Sequence, residues 1–279
     1  DVVIWYAKRK DGLWSAPKKV AVIGEAMAHW NPVLFQKQDG TITLYFKYGK
    51  KVKTWATYVS YSYDGGENFS VPKELAPGDT ENGRGPVKNK NIRLKDGTIL
   101  APASSEKSGI CWKCFVDISK DDGETFTKSK NIVRPSVKGI PVGMIQPTLW
   151  ESENGVHMLI RTNGGFIYRS DSKDNGLSWT KAYKTDLFNP NSGIDLDKLS
   201  DNSLVLVSNP TTKDWGVRTP LTLMRSFDNG ETFTEFLKLE DIEGDHEFSY
   251  PAIVAVGMKL YITYTHERKT IAYWEIEIE

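Results

Sequence analysis

The sequence has no surplus of charge and no long apolar run, and each of these shortages excludes a class of protein. Lysine plus arginine and aspartate plus glutamate both number 36, so the formal net charge is zero. This balance removes any global electrostatic argument for nucleic acid or an anionic membrane as the partner. No apolar run approaches the roughly 18 residues of a membrane-spanning helix, and the sequence as given shows no signal peptide. We therefore expect neither a nucleic-acid partner nor a membrane partner.

Cysteine is also scarce, with only Cys111 and Cys114 in a C-x-x-C arrangement. A second pair, which a zinc site of this type would need, is missing from the sequence. Residues 110–118 read as a strand, in which positions three apart point to opposite faces. We interpret the pair as two packed free thiols and predict no cofactor and no metal site. Reduced thiols would suit a cytoplasmic location, and the sequence shows no phosphate loop, calcium loop or ordered Ser-His-Asp motif.

What the sequence does contain is an internal repeat, S-x-D-x-G-x-[T/S/N]-[W/F]. Four full copies occupy residues 62–69, 119–126, 172–179 and 226–233, and a degenerate copy occupies residues 11–14. The aspartates of successive copies are 53 to 57 residues apart. One copy would be weak evidence, whereas evenly spaced copies indicate a repeat architecture.

The chemistry of the repeat predicts a β-hairpin turn. The aspartate accepts hydrogen bonds from backbone amides of the turn, and the glycine adopts a backbone conformation that other residues resist. The aromatic residue closes the hairpin as an apolar plug. We therefore interpret the repeated aspartates as structural residues and not as catalytic ones.

Two further elements recur with the same spacing and complete a unit of four strands. An inner strand A recurs at residues 31–35, 90–94, 146–150, 192–196 and 250–254. A turn and a strand B follow it, and strands C and D flank the aspartate turn. Short, regularly spaced strands with glycine turns are typical of sandwiches, barrels and propellers, and a four-stranded repeat selects the β-propeller. We predict an all-β fold with a single propeller domain over residues 1–279.

The number of blades is ambiguous from sequence. Residues 2–6 and 14–20 read as strands C and D of a first blade whose strands A and B have no counterpart. The last blade has only strands A, B and C. We expect a six-bladed propeller that lacks the first A and B strands, with a five-bladed propeller closed by the two chain ends as the alternative, because an open sheet edge is a liability.

The repeat also predicts where a ligand would bind, because the first polar residue of each inner strand should line one mouth of the central channel. Those residues are Asn31, Lys90, Gln146, Ser192 and Tyr250. The ends of the B strands add Lys47, Ser105 or Glu106, Arg161, Asn209 and His266. With Trp30 beside them, these converging polar groups are typical of a pocket. Arginine and lysine in one mouth indicate an anionic ligand, since arginine binds a carboxylate through two parallel hydrogen bonds.

Several sequence blocks resemble those of the sialidase-like Asp-box (BNR) repeat proteins, in particular the bacterial group of predicted neuraminidases. The blocks are HWNPVLF (29–35), RGPVKNK (84–90), IQPT (145–148), NPNSGID (189–195) and FSYP (248–251). The resemblance covers nearly the whole chain. It implies a propeller that acts on carbohydrate.

Sialidases hold a carboxylate with three arginines and use a tyrosine nucleophile paired with a glutamate, together with an aspartate acid/base. By this resemblance, Arg161 and Arg218 match the second and third arginines, and Tyr250 matches the nucleophile. Gln146 lies where the glutamate partner is expected, so Glu247 is the candidate substitute. The first arginine and the acid/base aspartate belong to the A and B strands that are absent here. The substrate-binding candidates are Arg161, Arg218, Trp30, Asn31, Lys90, Gln146, Asn191 and His266.

Three functions remain open at this stage. The first is an exo-acting glycoside hydrolase that removes a terminal acidic sugar from a glycan. The second is a polysaccharide lyase on uronate-containing glycans, with Tyr250 or His266 as the base. The third is a non-catalytic carbohydrate-binding propeller, which the glutamine at position 146 favours.

Overall fold

The computed structural model describes residues 2–20, 23–24, 27–79, 83–107 and 112–279. Its main architecture is a set of antiparallel sheets with consecutive strands paired in order, as the repeat predicts. Blade I consists of β5 (Ala28–Gln36), β6 (Ile42–Gly49), β7 (Ala56–Ser62) and β8 (Lys73–Glu74), with a 3-10 turn at Val52–Thr54. Blade II consists of β9 (Ile92–Arg93), β10 (Ile99–Ser105), β11 (Lys113–Ser119) and β12 (Thr127–Lys128).

The other three blades follow in chain order. Blade III consists of β15 (Met144–Ser152), β16 (Gly155–Thr162), β17 (Phe166–Ser172) and β18 (Tyr183–Phe188). Blade IV consists of β19 (Asp195–Lys198), β20 (Leu204–Ser208), β21 (Leu221–Ser226) and β22 (Thr234–Glu240). Blade V consists of β23 (Phe248–Val256), β24 (Lys259–His266) and β25 (Thr270–Glu277). The smaller strands are β1 (Ile4–Tyr6), β2 (Arg9–Lys10), β3 (Leu13–Trp14), β4 (Lys18–Val20), β13 (Ser136–Val137) and β14 (Ile140–Pro141).

The propeller prediction is confirmed, but the structure has five blades, so the six-bladed expectation is not supported. The segments assigned to a first blade form only a ladder of three residue pairs between β1 and β4, which is too small to be a blade. This pair packs its Ile4 and Val20 side chains against Leu44 and Phe46 of blade I. The hairpin β2–β3, which lies between β1 and β4 in the chain, reaches blade V, where Arg9 Nη1 is 2.9 Å from Glu275 Oε2. Side chains from the two ends of the chain therefore meet, as the five-bladed alternative expects.

Apolar residues are packed in layers between successive blades. One layer joins blades II and III, a second joins III and IV, and a third joins IV and V. Blades III and IV have a packed neighbour on each face, which explains why β16 and β20 are buried along nearly their whole length. Residues 158–160 of β16 and 204–207 of β20 are accordingly uninterrupted apolar runs rather than strict alternations. In β23 and β24 of blade V, by contrast, buried residues alternate with more exposed ones.

The repeated aspartate motif forms the hairpin turns that the sequence predicts. In blade III, Asp174 Oδ1 accepts hydrogen bonds from Ser172 Oγ and the Ser178 amide, both at 2.8 Å. Gly176 has a φ of +87°, a conformation open to glycine but costly for other residues. Ser172 Oγ accepts from the Gly176 amide at 2.9 Å, so the turn satisfies its own donors.

Three further findings concern thiols, metal sites and membrane spans. Cys114 is a buried free thiol, whereas Cys111 lies outside the described residues. Within the described ranges, no group of three or more His, Cys, Asp or Glu side chains could hold a metal ion. No helix in that same part of the chain is long and apolar enough to cross a membrane.

Candidate active site

A β-bulge at the start of the inner strands aims the candidate residues at the channel mouth. In blades I, III and V the ladder to the next strand is interrupted at this point. The residue in the bulge is followed by proline and has a positive φ, which is 48° for Asn31, 52° for Gln146 and 53° for Tyr250. Positive φ is strained for a bulky residue such as tyrosine, and strain of this kind concentrates at functional sites.

Blades II and IV have their own positive-φ residues at the start of the inner segment. These are Lys88, with a φ of 66°, and Asn191, with a φ of 58°. The repeat therefore places Lys88 and Asn191 at the positions for which sequence analysis predicted Lys90 and Ser192. The predicted position is therefore two residues too late in blade II and one residue too late in blade IV. In these blades no proline follows the positive-φ residue, so the sequence does not mark its position.

Arg161, Arg218 and Tyr250 lie together at the mouth. The guanidinium carbon of Arg161 is 5.9 Å from the centroid of the Tyr250 ring, and that of Arg218 is 5.4 Å away. Both arginines are more than nine-tenths buried, whereas Tyr250 is 39% exposed. Two enclosed cations beside one accessible phenol form a positively charged site that is open to solvent through the tyrosine.

Arg161 is held in place by side-chain carbonyls. It is near the end of β16, opposite Ile145 in the ladder to β15. Its Nη1 donates to Gln146 Oε1 and its Nε donates to Asn191 Oδ1, both at 2.9 Å. Asn191 in turn donates to Asp214 Oδ1 at 3.0 Å. Neutral amides orient the guanidinium without neutralising it, so its positive charge stays available to a ligand.

Arg218 is held by a carboxylate. Its Nη1 donates to Glu247 Oε1 at 3.0 Å, and the backbone carbonyl of Arg218 accepts from the Phe248 amide. Glu247 also accepts hydrogen bonds from Arg268 Nε at 2.7 Å and Ser249 Oγ at 2.8 Å. Burial acts to raise the pKa of Glu247, but these hydrogen bonds and the charge of Arg218 outweigh it, so the pKa is lowered. Glu247 is therefore an ionised anchor for two arginines.

The two arginines change the acidity of Tyr250. Burial of the phenol acts to raise its pKa, but the positive charges of Arg161 and Arg218 favour the phenolate more strongly. The net effect lowers the pKa of Tyr250 below its ordinary value of 10.0. A phenolate is the nucleophilic form of a tyrosine, so this environment activates the side chain.

Behind the mouth, the buried residues Glu106 and Lys47 carry unusual acidities. Glu106 accepts from Ser104 Oγ at 3.0 Å and lies 3.5 Å from Gln146 Nε2, and burial raises its pKa. Lys47 donates to Thr57 Oγ1 at 2.7 Å. Burial of its ammonium lowers the pKa of Lys47 to about 7. Shifted acidities of this kind are typical of functional sites.

A pocket of about 720 Å³ opens beside Arg218 and Glu247. One wall is formed by residues 211–217, the loop that precedes Arg218, and the other by His246, Glu267 and Arg268. Trp215 is 64% exposed at the rim and has a φ of 54°. The pocket is large enough for a sugar ring, and the ring of Trp215 offers an apolar surface for it.

A model of the BNR repeat-like domain matches residues 1–262. The chain belongs to the BNR repeat-like domain family. Among curated proteins, no sequence matches it. The matched residues include the repeated aspartate turns and the sequence blocks that resemble sialidases.

Several solved structures share the fold of this BNR repeat-like protein. A protein of unknown function from Dyadobacter fermentans DSM 18053 has a TM-score of 0.77 and 19% identity, over 99% of this chain and 84% of the other. The Hadza microbial sialidase Hz136 has a TM-score of 0.80 and 18% identity, over 99% and 59%. Trypanosoma rangeli sialidase in complex with sialic acid has a TM-score of 0.68 and 14% identity, over 96% and 47%. This chain thus spans less than two thirds of either sialidase chain.

Not every predicted binding residue of this BNR propeller lies with the arginines. Lys90 lies in the channel, where its Nζ donates to Asp195, to the Leu196 carbonyl at 2.9 Å and to the Ile253 carbonyl at 2.8 Å. Lys88 likewise donates to the carbonyls of blades IV and V. These contacts favour a structural role for both lysines.

The described contacts of His266 and Trp30 are with residues other than Arg161, Arg218 and Tyr250. His266 packs against Phe248, with ring centroids 5.0 Å apart, and lies 3.7 Å from Glu240. The indole of Trp30 donates to the Gly49 carbonyl at 3.2 Å. Their roles in binding stay predictions, as does that of Asn31.

Sequence reasoning missed Arg268 and Trp215 as site residues. Arg268 is in the turn between β24 and β25, and Trp215 is in the loop between β20 and β21. Neither position belongs to the four-strand repeat, so the repeat gave no signal for them. The only sequence signal is chemical, since a tryptophan next to Gly216 in a polar loop is an unusual place for a large aromatic residue.

Proposed function

We propose that this protein is an exo-acting, sialidase-like glycosidase that holds the carboxylate of a terminal acidic sugar between Arg161 and Arg218. The observation that carries the proposal is that two nearly buried arginines converge on one accessible tyrosine. A carboxylate is the ligand group that arginines bind most specifically, because both oxygens accept parallel hydrogen bonds. A sugar ring attached to it would occupy the pocket beside Arg218.

Tyr250 is the proposed nucleophile. Its oxygen would attack the anomeric carbon as the bond to the leaving oxygen breaks, and that oxygen leaves as an aryloxide or takes a proton from water. Water then hydrolyses the glycosyl-enzyme and regenerates the tyrosine. Gln146 cannot take the proton of Tyr250, so in this proposal the positive charge of two arginines does the work of a neighbouring base. Arg161 and Arg218 lower the pKa of Tyr250 and thereby supply the phenolate. Glu247, which is ionised and paired with Arg218 and Arg268, positions the second arginine.

A non-catalytic carbohydrate-binding propeller is the second candidate, and Gln146 favours it. Next to Arg161, at the position where a carboxylate would serve as a base, the side chain of Gln146 is a neutral amide. Binding through the two arginines would persist in such a protein while turnover would be absent.

Titration calorimetry with free sialic acid, glucuronic acid and a neutral hexose tests the binding step that both candidates share. We expect binding of at least one acidic sugar and none of the neutral hexose. Failure of every acidic sugar to bind the folded protein would contradict both candidates. Binding without hydrolysis of any acidic aryl glycoside would leave the non-catalytic propeller.

A further inference from the structure

A second constellation of reactive side chains lies in blade III, at the end of β16 away from Arg161. Ser152 Oγ is 2.8 Å from His157 Nε2, and His157 Nδ1 is 2.5 Å from Asp171 Oδ1. The three residues belong to neighbouring strands, and His157 and Asp171 are directly paired in the ladder. We propose that Ser152, His157 and Asp171 form a second catalytic centre that hydrolyses small acyl esters.

The hydrogen-bond partners fix the tautomer of His157. The indole of Trp150 can only donate, and it donates to Asn229 Oδ1 at 2.8 Å. The amide nitrogen of Asn229 therefore faces His157 Nε2, 3.2 Å away, so Nε2 is an acceptor. Nδ1 has two neighbours, the Asp171 carboxylate at 2.5 Å and the donor Arg169 Nη2 at 3.3 Å. The shorter contact needs a proton on Nδ1, which is the arrangement in which a histidine accepts the proton of a serine.

Asp171 is held as a carboxylate. Its Oδ1 accepts from Arg169 Nε at 2.9 Å and its Oδ2 accepts from the Tyr183 hydroxyl at 2.8 Å. Although burial acts to raise its pKa, hydrogen bonds from His157, Arg169 and Tyr183 lower the pKa of Asp171 to about 2. Trp150 stacks on the other side of the histidine, with ring centroids 5.1 Å apart. These contacts hold the imidazole ring in one orientation, with an ionised carboxylate beside Nδ1.

Ser152 faces a pocket of about 260 Å³, which is the right scale for a short acyl group and too small for a polymer. Lys198 lines the same pocket and donates to the carbonyl of Glu151, the residue next to the serine, at 2.9 Å. Lys95 lines this pocket as well, so two ammonium groups are available to an oxyanion. The Asn154 amide donates to Ser152 Oγ at 3.0 Å and stabilises negative charge on that oxygen.

The proposed reaction is a serine-type acyl transfer to water. Ser152 Oγ bonds to the ester carbonyl carbon as its proton passes to His157 Nε2, and the carbonyl π electrons move to the oxygen. The tetrahedral intermediate collapses, the bond to the alcohol oxygen breaks, and that oxygen takes the proton from His157. Water then cleaves the acyl-serine by the same steps and releases the acid. Asp171 stabilises the imidazolium throughout.

Two measurements on the intact protein test this proposal, and neither depends on the proposed glycosidase. The first is labelling with a fluorophosphonate followed by peptide mapping, for which we expect phosphonylation of Ser152. The second is steady-state hydrolysis of p-nitrophenyl acetate, for which Ser152→Ala and Asp171→Asn should each lower kcat/KM by about 100-fold or more. Ser136→Ala, which changes an exposed serine on the β13–β14 hairpin, is the matched control and should hydrolyse the ester like wild type.

The far-ultraviolet circular dichroism spectrum and the urea unfolding midpoint of Ser152→Ala should match those of wild type, which shows that this variant is folded. Labelling that spares Ser152 in the folded wild type, or ester hydrolysis by Ser152→Ala at the wild-type rate, would overturn the proposal. If Ser152→Ala does not fold, the site of wild-type labelling decides alone.

Discussion

Arg161 donates from Nη1 to Gln146 Oε1 at 2.9 Å, so the side chain beside this arginine is a neutral amide where the family resemblance predicts a carboxylate. The glutamine orients Arg161 and contributes no charge. In the proposed glycosidase, the positive charges of Arg161 and Arg218 activate the phenol of Tyr250. This relationship makes the acidity of Tyr250 the central chemical property of the site.

Replacing Gln146 with glutamate should increase turnover. A carboxylate at this position can take the proton of Tyr250, and a positioned base contributes on the order of 100-fold. The measurement is kcat for an acidic aryl glycoside with Gln146→Glu beside wild type. Gln146→Met, which removes the amide without adding charge, is the control and should show no gain. A folded Gln146→Glu variant with unchanged or lower kcat would argue against the proposed role of Tyr250.

Arg161→Lys and Arg218→Lys should each weaken the binding of an acidic sugar by roughly 10- to 100-fold. Lysine keeps the charge but loses the paired hydrogen bonds to the carboxylate, each worth about 1.5–3 kcal/mol. The dissociation constants follow from calorimetry. Arg93→Lys, which alters an arginine paired with Asp122, is the matched control and should bind like wild type. Equal affinities in all three variants would remove the arginines from the binding site.

The pH dependence of the reaction follows from the lowered pKa of Tyr250. The phenolate fraction grows as the pH rises, so the rate should increase with pH and level off below pH 10, the ordinary range for tyrosine. Ultraviolet difference titration of wild type against Tyr250→Phe isolates the ionisation of this one phenol. Arg218→Met should move that ionisation to higher pH because it removes a positive charge. A Tyr250 that ionises at or above 10 in wild type would exclude electrostatic activation.

Lys90→Met should destabilise the fold, by about 3–5 kcal/mol, because it leaves the buried carboxylate of Asp195 without its cation. Lys90 Nζ lies 3.2 Å from Asp195 Oδ2, and Asp195 is 2% exposed. Urea unfolding measures the change, with Lys173→Met at an exposed position as the control. A loss of sugar affinity without a loss of stability would restore Lys90 to the binding site.

The sequence predicted the parts of this molecule that repeat. Four copies of one turn motif, together with the inner strands, were enough for the propeller, since each turn supplies its own hydrogen-bond partners. The number of blades was harder, because the segments around β1 and β4 match the strand pattern while pairing over only three residues. Strand patterns report local preference, whereas a blade requires partners on both faces.

The candidate site could be predicted only where its residues occupy repeated strand positions or family motifs. Arg161, Arg218 and Tyr250 follow from strand positions and from the family resemblance, and the structure brings them together. The pairing of Glu247 with Arg218 and Arg268 could not be predicted, because it depends on how separate loops meet and because Arg268 lies in a turn outside the repeat. The cluster of Ser152, His157 and Asp171 was also invisible, since it depends on the register of three strands and not on a sequence motif.

The most direct test of the account is the hydrolysis of a fluorogenic sialoside by wild type and Tyr250→Phe, run beside other acidic aryl glycosides. Aryl leaving groups depart without strong acid assistance, so they report on the nucleophile itself. We predict turnover of an acidic aryl glycoside by wild type and a loss of about 100-fold or more in Tyr250→Phe. Equal rates in the two proteins, or no turnover of any acidic glycoside by the folded wild type, would contradict the proposed glycosidase.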